Sequence, residues 1–158
     1  MIAPRGRRGI PARSLNRAAT LTVGKLGLPV PGLHMLRVHG RRTGELRSTP
    51  LFVLSERGSR YLVAPRGETD WSRNLRSAGW GELVRGRRVE RVRAVEVFGL
   101  ERKRIIKAYA KRHRLMTARF FDLPPKEDLE AWRRVAAKHP VFRLAPPRPQ
   151  GAEPAAAA

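Results

Sequence analysis

Two glycine-bounded arginine turns, GRRTGELRSTPL over residues 40–51 and VAPRGETDWSRNL over 63–75, constrain this chain more than any other feature. Each follows a short apolar run and leads into another element, so each is a surface connection. Arg41, Arg42 and Arg47 cluster around Gly40 and Gly44, and Arg66 comes directly after the next apolar run. Guanidinium groups on two such turns make a site in two halves for a phosphate-like anion, because their forked donors match phosphate oxygens. Taken alone, GRRTGE also reads as an ordinary exposed β-turn. Pro50 sits inside a strand-like run. Lacking an N–H, it belongs at a bulge or a strand edge, where nearby backbone groups stay free for a ligand.

The surrounding pattern is one of short strands. Leu33–His39, Leu46–Leu54, Arg60–Ala64, Trp80–Arg85, Val89–Val97 and Val141–Leu144 carry the apolar content and turn boundaries of strands. In Val89–Val97 the alternation slips, with Val92 and Ala94 on one parity and Val95 and Val97 on the other, which predicts a bulge or a strand buried on both faces. Helical spacing marks Ala12–Leu26, stopped by Gly27, and Asp70–Ala78, capped by Thr69 or Asp70 and stopped by Gly79. It also marks Glu101–Arg114, with Ile105, Ile106 and Tyr109 inward, and a helix after Pro124 and Pro125 that buries Leu129, Trp132, Val135 and Ala136. With too few βα alternations for a doubly wound sheet, the order predicts an antiparallel α+β domain closed as a small barrel. The chain divides into a flexible basic arm over 1–11, a single domain over 12–145 and a disordered tail over 146–158.

At 158 residues the chain closes one core without a staple. It has no cysteine, hence no disulfide and no thiolate nucleophile, which fits a cytoplasmic address. The N-terminal apolar residues are interrupted by Asn16, Arg17 and Lys25 before any exported or spanning run develops. The net charge is +21, and residues 1–44 carry nine Lys or Arg and no acid. Such a field attracts polyanions: an anionic membrane surface, to which the arm would attach the protein peripherally, nucleic acid, or an anionic cofactor. Aromatics interleaved with arginine on a strand, as nucleic-acid recognition needs, are absent, and Trp71, Trp80 and Trp132 read as core anchors. There is no Walker pattern, no GxGxxG, no HExxH and no GxSxG, which removes the nucleotide-loop, Rossmann, zinc-protease and triad-hydrolase readings.

With GRRTGELRSTPL, VAPRGETDWSRNL and the late HPVF in view, the chain resembles the deazaflavin-dependent nitroreductase family of coenzyme F-420-dependent, split β-barrel oxidoreductases. The resemblance covers roughly residues 30–145. It implies an FMN-binding-like split barrel flanked by helices and 8-hydroxy-5-deazaflavin (coenzyme F-420) as cofactor, with FMN the second choice. The family's first motif falls on Arg41, Arg42, Thr43, Gly44, Arg47, Thr49, Pro50 and Leu51. Its second falls on Ala64, Pro65, Arg66, Gly67, Trp71, Asn74 and Leu75. These would hold the phosphate and the ring edge, with Trp71 and Leu51 bounding the ring. Phe120 and Phe121 are candidates for the substrate side and Tyr109 for a proton donor, although all three also read as core aromatics. Pro65 departs from a frequent serine, and the pocket tyrosines of the best-known nitroreductases have no counterpart in RHRLMTARFF. The implied activity is hydride transfer to a small acceptor such as a quinone, a nitroaromatic or a conjugated enone. A non-catalytic cofactor carrier and a basic surface-binding protein are the alternatives, and oligomeric state is left open.

Overall fold

The computed structural model describes residues 30–117, 120–121, 123–124 and 128–147. The arm expected over 1–11, the helix expected over 12–26 and the tail from residue 148 lie outside them. Six strands, β1 (Leu33–His39), β2 (Leu46–Glu56), β3 (Ser59–Val63), β4 (Trp80–Arg85), β5 (Arg88–Glu96) and β6 (Val141–Ala145), form a closed antiparallel barrel in the order β1-β2-β3-β6-β5-β4. Closure leaves no full-length edge strand, which is how a small all-antiparallel sheet avoids pairing with other chains.

Alternation along each strand sorts the side chains into two cores. Leu36, Val38, Leu51, Val53, Leu62, Leu83, Val92, Ala94, Phe142 and Leu144 fill the barrel. Helix α1 (Asp70–Ala78) plugs one end with Trp71 and Leu75, its C-terminus fixed by Gly79, whose N–H bonds Leu75 O. Gly81 makes this plug close: a Cβ there would stand 3.0 Å from Leu36 Cδ1 and 3.5 Å from Leu75 Cδ1. Outside the barrel, α2 (Gly99–Arg112), the short α3 (Arg114–Thr117) and α4 (Leu129–Lys138) form a second layer. There Ile105, Ile106, Tyr109 and Trp132 bury against Leu54, Tyr61, Val63 and Val141. Of the three tryptophans, Trp71 and Trp132 are buried, whereas Trp80 is half-buried with the Arg91 guanidinium 3.9 Å over its ring.

The slip in Val89–Val97 is neither a bulge nor a doubly buried strand. The β4–β5 register runs without interruption to Arg93 and the β5–β6 register from there to Glu96, and Val95 is exposed on the outer face. Alternation holds throughout: Val92 and Ala94 point into the barrel, while Val95 and Val97 point outward, Val95 to solvent and Val97, whose N–H donates to Val141 O at 2.9 Å, into the outer core.

Candidate active site

The GRRTGE turn closes the β1–β2 hairpin. Gly40 N–H donates to Glu45 O and Gly44 N–H to Gly40 O, both at 2.8 Å, with Gly44 at φ +69°. The turn docks on α1 through Arg41, whose backbone N–H and guanidinium both donate to Asn74 Oδ1, at 3.2 and 2.9 Å. The guanidinium also reaches Asp70 at 3.3 Å. Asn74 is buried, so its amide oxygen is committed to holding this turn. Arg42, Thr43 and Arg47 face solvent, Thr43 Oγ1 accepts the Glu45 N–H, and Arg47 pairs with Glu45 at 2.7 Å.

The VAPRG turn is held from beneath. Ala64 N–H donates to Pro140 O, and the Ala64 carbonyl accepts both Gly67 N–H and His139 Nδ1–H, each at 3.0 Å. His139 is 2% exposed, and burial pushes its pKa below the usual value, partly offset by the Ala64 carbonyl. Gly67 has φ +84°, and a Cβ there would approach Lys138 O to 3.2 Å. Arg66 points outward with its guanidinium 5.2 Å over the Phe120 ring. After the turn, Ser72 Oγ accepts the Thr69 N–H at 3.0 Å and donates to Glu68 at 2.8 Å. Burial would raise the Glu68 pKa, but the hydrogen bonds from Arg76 and Ser72 outweigh it and hold the carboxyl below its usual range. Arg76 continues to Glu96 at 2.5 Å and Glu96 to Arg102 at 2.7 Å, tying the start of α1 to the outer layer.

Both turns therefore meet at the N-terminal half of α1, on either side of one stretch of β2. The β2–β3 ladder stops at Val53↔Leu62 because the chain leaves the sheet at Ala64, whereas β2 continues to pair with β1 as far as Leu46. Among the described residues, no strand covers the other edge of Leu46–Phe52. Val53 N–H donates to Gly32 O, so odd-numbered residues of this segment turn their backbone groups toward β1. Even-numbered Ser48, Pro50 and Phe52 present theirs to the open edge. Pro50 thus lies on an edge, in the one orientation where its missing N–H costs no ladder bond. Arg47, Thr49 and Leu51 carry the inward parity, and Leu51 packs against the barrel core.

The motif residues divide by burial. Ala64, Gly67, Trp71, Asn74 and Leu75 are buried and build the scaffold, and Leu75 has no exposed surface. Arg41, Arg42, Thr43, Gly44, Arg47 and Arg66 are exposed, and Thr49, Pro50, Leu51 and Pro65 are half-buried. Arg42 and Arg66 have no carboxylate partner among the described residues. Phe121 is buried with its ring 4.7 Å from His139 and 6.2 Å from Tyr109. Tyr109 is 3% exposed, and burial raises its phenol to about 12. The motifs leave out the Ser48 and Phe52 backbone and the His139 ring. The parity set by Pro50 signals the first two, while His139 becomes visible only when β6 is laid beside β3.

Comparison with known families gives a match over residues 12–139 to the F420H(2)-dependent quinone reductase model. The chain belongs to this family. It is an oxidoreductase whose cofactor is coenzyme F-420, and the donor set fits that anionic group: two arginines without carboxylate partners and a third in an exposed pair flank an open strand edge. Among solved structures, an F420-H2 dependent reductase (FDR-A) is 20% identical with a TM-score of 0.50, covering 72% of this chain and 94% of its own. A domain-swapped dimer is 18% identical at 0.50, covering 84% and 96%. A protein of unknown function from Agrobacterium tumefaciens is 17% identical at 0.52, covering 91% of this chain and 59% of its own. At these identities the structures establish the shared barrel fold. No curated protein matches the sequence.

Proposed function

We propose that a cleft between the open edge of β2 and the VAPRG turn seats the deazaflavin ring, and that the protein reduces a planar, conjugated acceptor of the quinone type. The observation that carries this reading is the backbone edge of Ser48–Phe52, unpaired among the described residues, lying between two arginine turns. On this reading Arg42 and Arg47 grip the cofactor phosphate from one side and Arg66 from the other, while Arg41 keeps its turn on Asn74 and Asp70. Trp71 and Leu75 support the floor from the barrel core instead of touching the ring. When bound in its reduced form, coenzyme F-420 supplies a hydride, so a quinone that accepts it together with one proton leaves as the hydroquinone and the cofactor leaves oxidised.

The chain's own work is then to bind, orient and leave one face open. Phe120, half-buried beneath Arg66, gives the acceptor an aromatic neighbour. Tyr109, sealed in the outer core with a raised pKa, supplies no proton at neutral pH, and solvent entering the open cleft does. The family description favours quinones over the nitroaromatics and enones that such a cleft also admits.

Two measurements test this. Titration with oxidised cofactor, followed by fluorescence, should give tight binding that weakens by about 1.5–3 kcal/mol on Arg47→Ala or Arg66→Ala. Unchanged affinity in both variants would remove the phosphate assignment. A panel of quinones, nitroaromatics and enones with enzymatically reduced cofactor should show quinones turned over fastest, and Tyr109→Phe should leave the rate and its pH profile unchanged. Tight cofactor binding without oxidation by any acceptor would instead make the protein a carrier.

A further inference from the structure

The outer layer carries a surface that cofactor binding does not use. Phe98, Leu100 and Leu129 expose 65%, 85% and 62% of their surface where α2 and α4 begin. They border a groove of about 480 Å³ between the two helices, floored by Trp132 and Ala136. Apolar side chains of this size seldom stand together in water on a protein without a partner.

Cations collar the groove. Lys103 and Arg133 line it, Lys107 and Lys111 follow Lys103 at helical spacing along α2, Arg134 stands on α4, and Arg104 lies on the far side of Leu100. The Lys103 and Lys107 ammonium groups lie 5.0 and 4.6 Å over the Trp132 ring, so their stems cover apolar surface while their charges ring the groove. The acids nearby, Glu101 and Glu130, are already paired with Arg143 and Arg133.

This charge pattern selects the occupant. A second copy of the chain would bring the same collar against this one and add another +21 to the assembly. Nucleic acid would satisfy the cations but leave Phe98, Leu100 and Leu129 in water. An anionic bilayer accepts both, apolar tips at the acyl boundary and cations at the phosphates.

We propose that the α2–α4 face docks on anionic lipid bilayers, with Phe98, Leu100 and Leu129 entering the interface and Lys103, Arg104 and Lys107 meeting the headgroup phosphates. The surface is distinct from the basic N-terminal arm, and the inference does not rest on the identity of the acceptor. None of the described helices is long and apolar enough to cross a membrane, so the contact is a peripheral one.

Flotation of the full chain with phosphatidylglycerol–phosphatidylcholine vesicles, against pure phosphatidylcholine vesicles, tests it. Binding to the anionic vesicles, weakening with salt, is expected. Phe98→Ser with Leu100→Ser should lower the partition coefficient about tenfold, and Lys103→Glu with Lys107→Glu about tenfold or more. Arg87→Glu with Arg88→Glu makes the same charge change on the β4–β5 turn and should lower it only about twofold. The arm is common to every variant, so these differences report the helical face. Unchanged melting temperature and cofactor affinity show that each variant is folded. If the double serine variant melts early, quenching of a tryptophan placed by Leu100→Trp with brominated lipid reads insertion directly. Absence of vesicle binding at low salt, no effect of the serine variant, or equal losses from both charge pairs would overturn the proposal. So would binding to an acidic protein in place of vesicles.

Discussion

The two arginine turns on either side of the β2 edge are held in different ways. The GRRTGE turn lies on the surface, fastened by its own backbone bonds and by Arg41 reaching Asn74 and Asp70. The VAPRG turn is fastened from inside, by a buried histidine, by Pro140 and by a glycine pressed against Lys138. A surface turn held by its own backbone bonds and one arginine contact adjusts more readily, and its Arg41–Asp70 pair responds to salt. One held by buried hydrogen bonds behaves as part of the core. If the two turns hold the cofactor as proposed, one half of its site is adaptable and the other fixed.

The largest break in this contrast comes at His139. His139→Ala leaves the Ala64 carbonyl short of a buried donor and opens a void beside Phe121, and should cost about 3 kcal/mol in chemical denaturation. The same residue gives the fixed turn a pH dependence. Burial lowers the His139 pKa below 6.5, so the unfolded chain takes up a proton that the folded chain refuses. Stability is therefore full above about pH 6.5 and declines as pH falls from there through the lower folded value. His113, also lowered by burial and by Arg112, adds to the effect with the same sign. Melting curves across that range should flatten in His139→Gln, while changes in the GRRTGE turn leave their shape alone.

Cofactor affinity gives the next effect. Arg42→Ala and Arg66→Ala should each weaken binding by about 1.5–3 kcal/mol, and the double variant by close to the sum, because the residues sit on separately anchored turns. Strong non-additivity in calorimetric titration would mean that the turns move together. The two positive-φ glycines sharpen the contrast with a smaller difference. Gly44→Ala meets nothing within 4 Å and pays for φ +69° alone, about 1 kcal/mol, whereas Gly67→Ala adds an approach of 3.2 Å to a backbone carbonyl and should cost about 2 kcal/mol. Arg41→Ala should have the least effect on stability, under about 1 kcal/mol and only partly lost in high salt, since its Asp70 partner is exposed while the Arg41 N–H still satisfies the buried Asn74 Oδ1.

Much of this molecule follows from sequence alone because its signals are local. Pro50 specified a bulge or an edge, since an imide nitrogen has no place in a ladder, and the structure has the edge. The period-2 runs specified strands whose bounds the structure moves by a residue or two. The Thr69–Gly79 signals bounded α1, and the glycines and arginines marked the two exposed turns on which the proposed site rests.

Other features depended on contacts between residues distant in sequence. Nothing near Trp71 and Leu75 separates a ring-facing side chain from a barrel plug. That depends on α1 lying over the barrel end, which Gly81 permits from another strand. Tyr109 has the same chemistry as a proton donor whether exposed or buried, and only the packing of α2 on the barrel placed it in a core. His139 is an isolated histidine in the sequence, seventy-five residues from the carbonyl it holds. The pairing of β6 with β3 brings them together. Hydrogen-bonding capacity and backbone preference belong to each residue, whereas burial, and with it the division into scaffold and ligand-facing side chains, is settled only when the barrel closes.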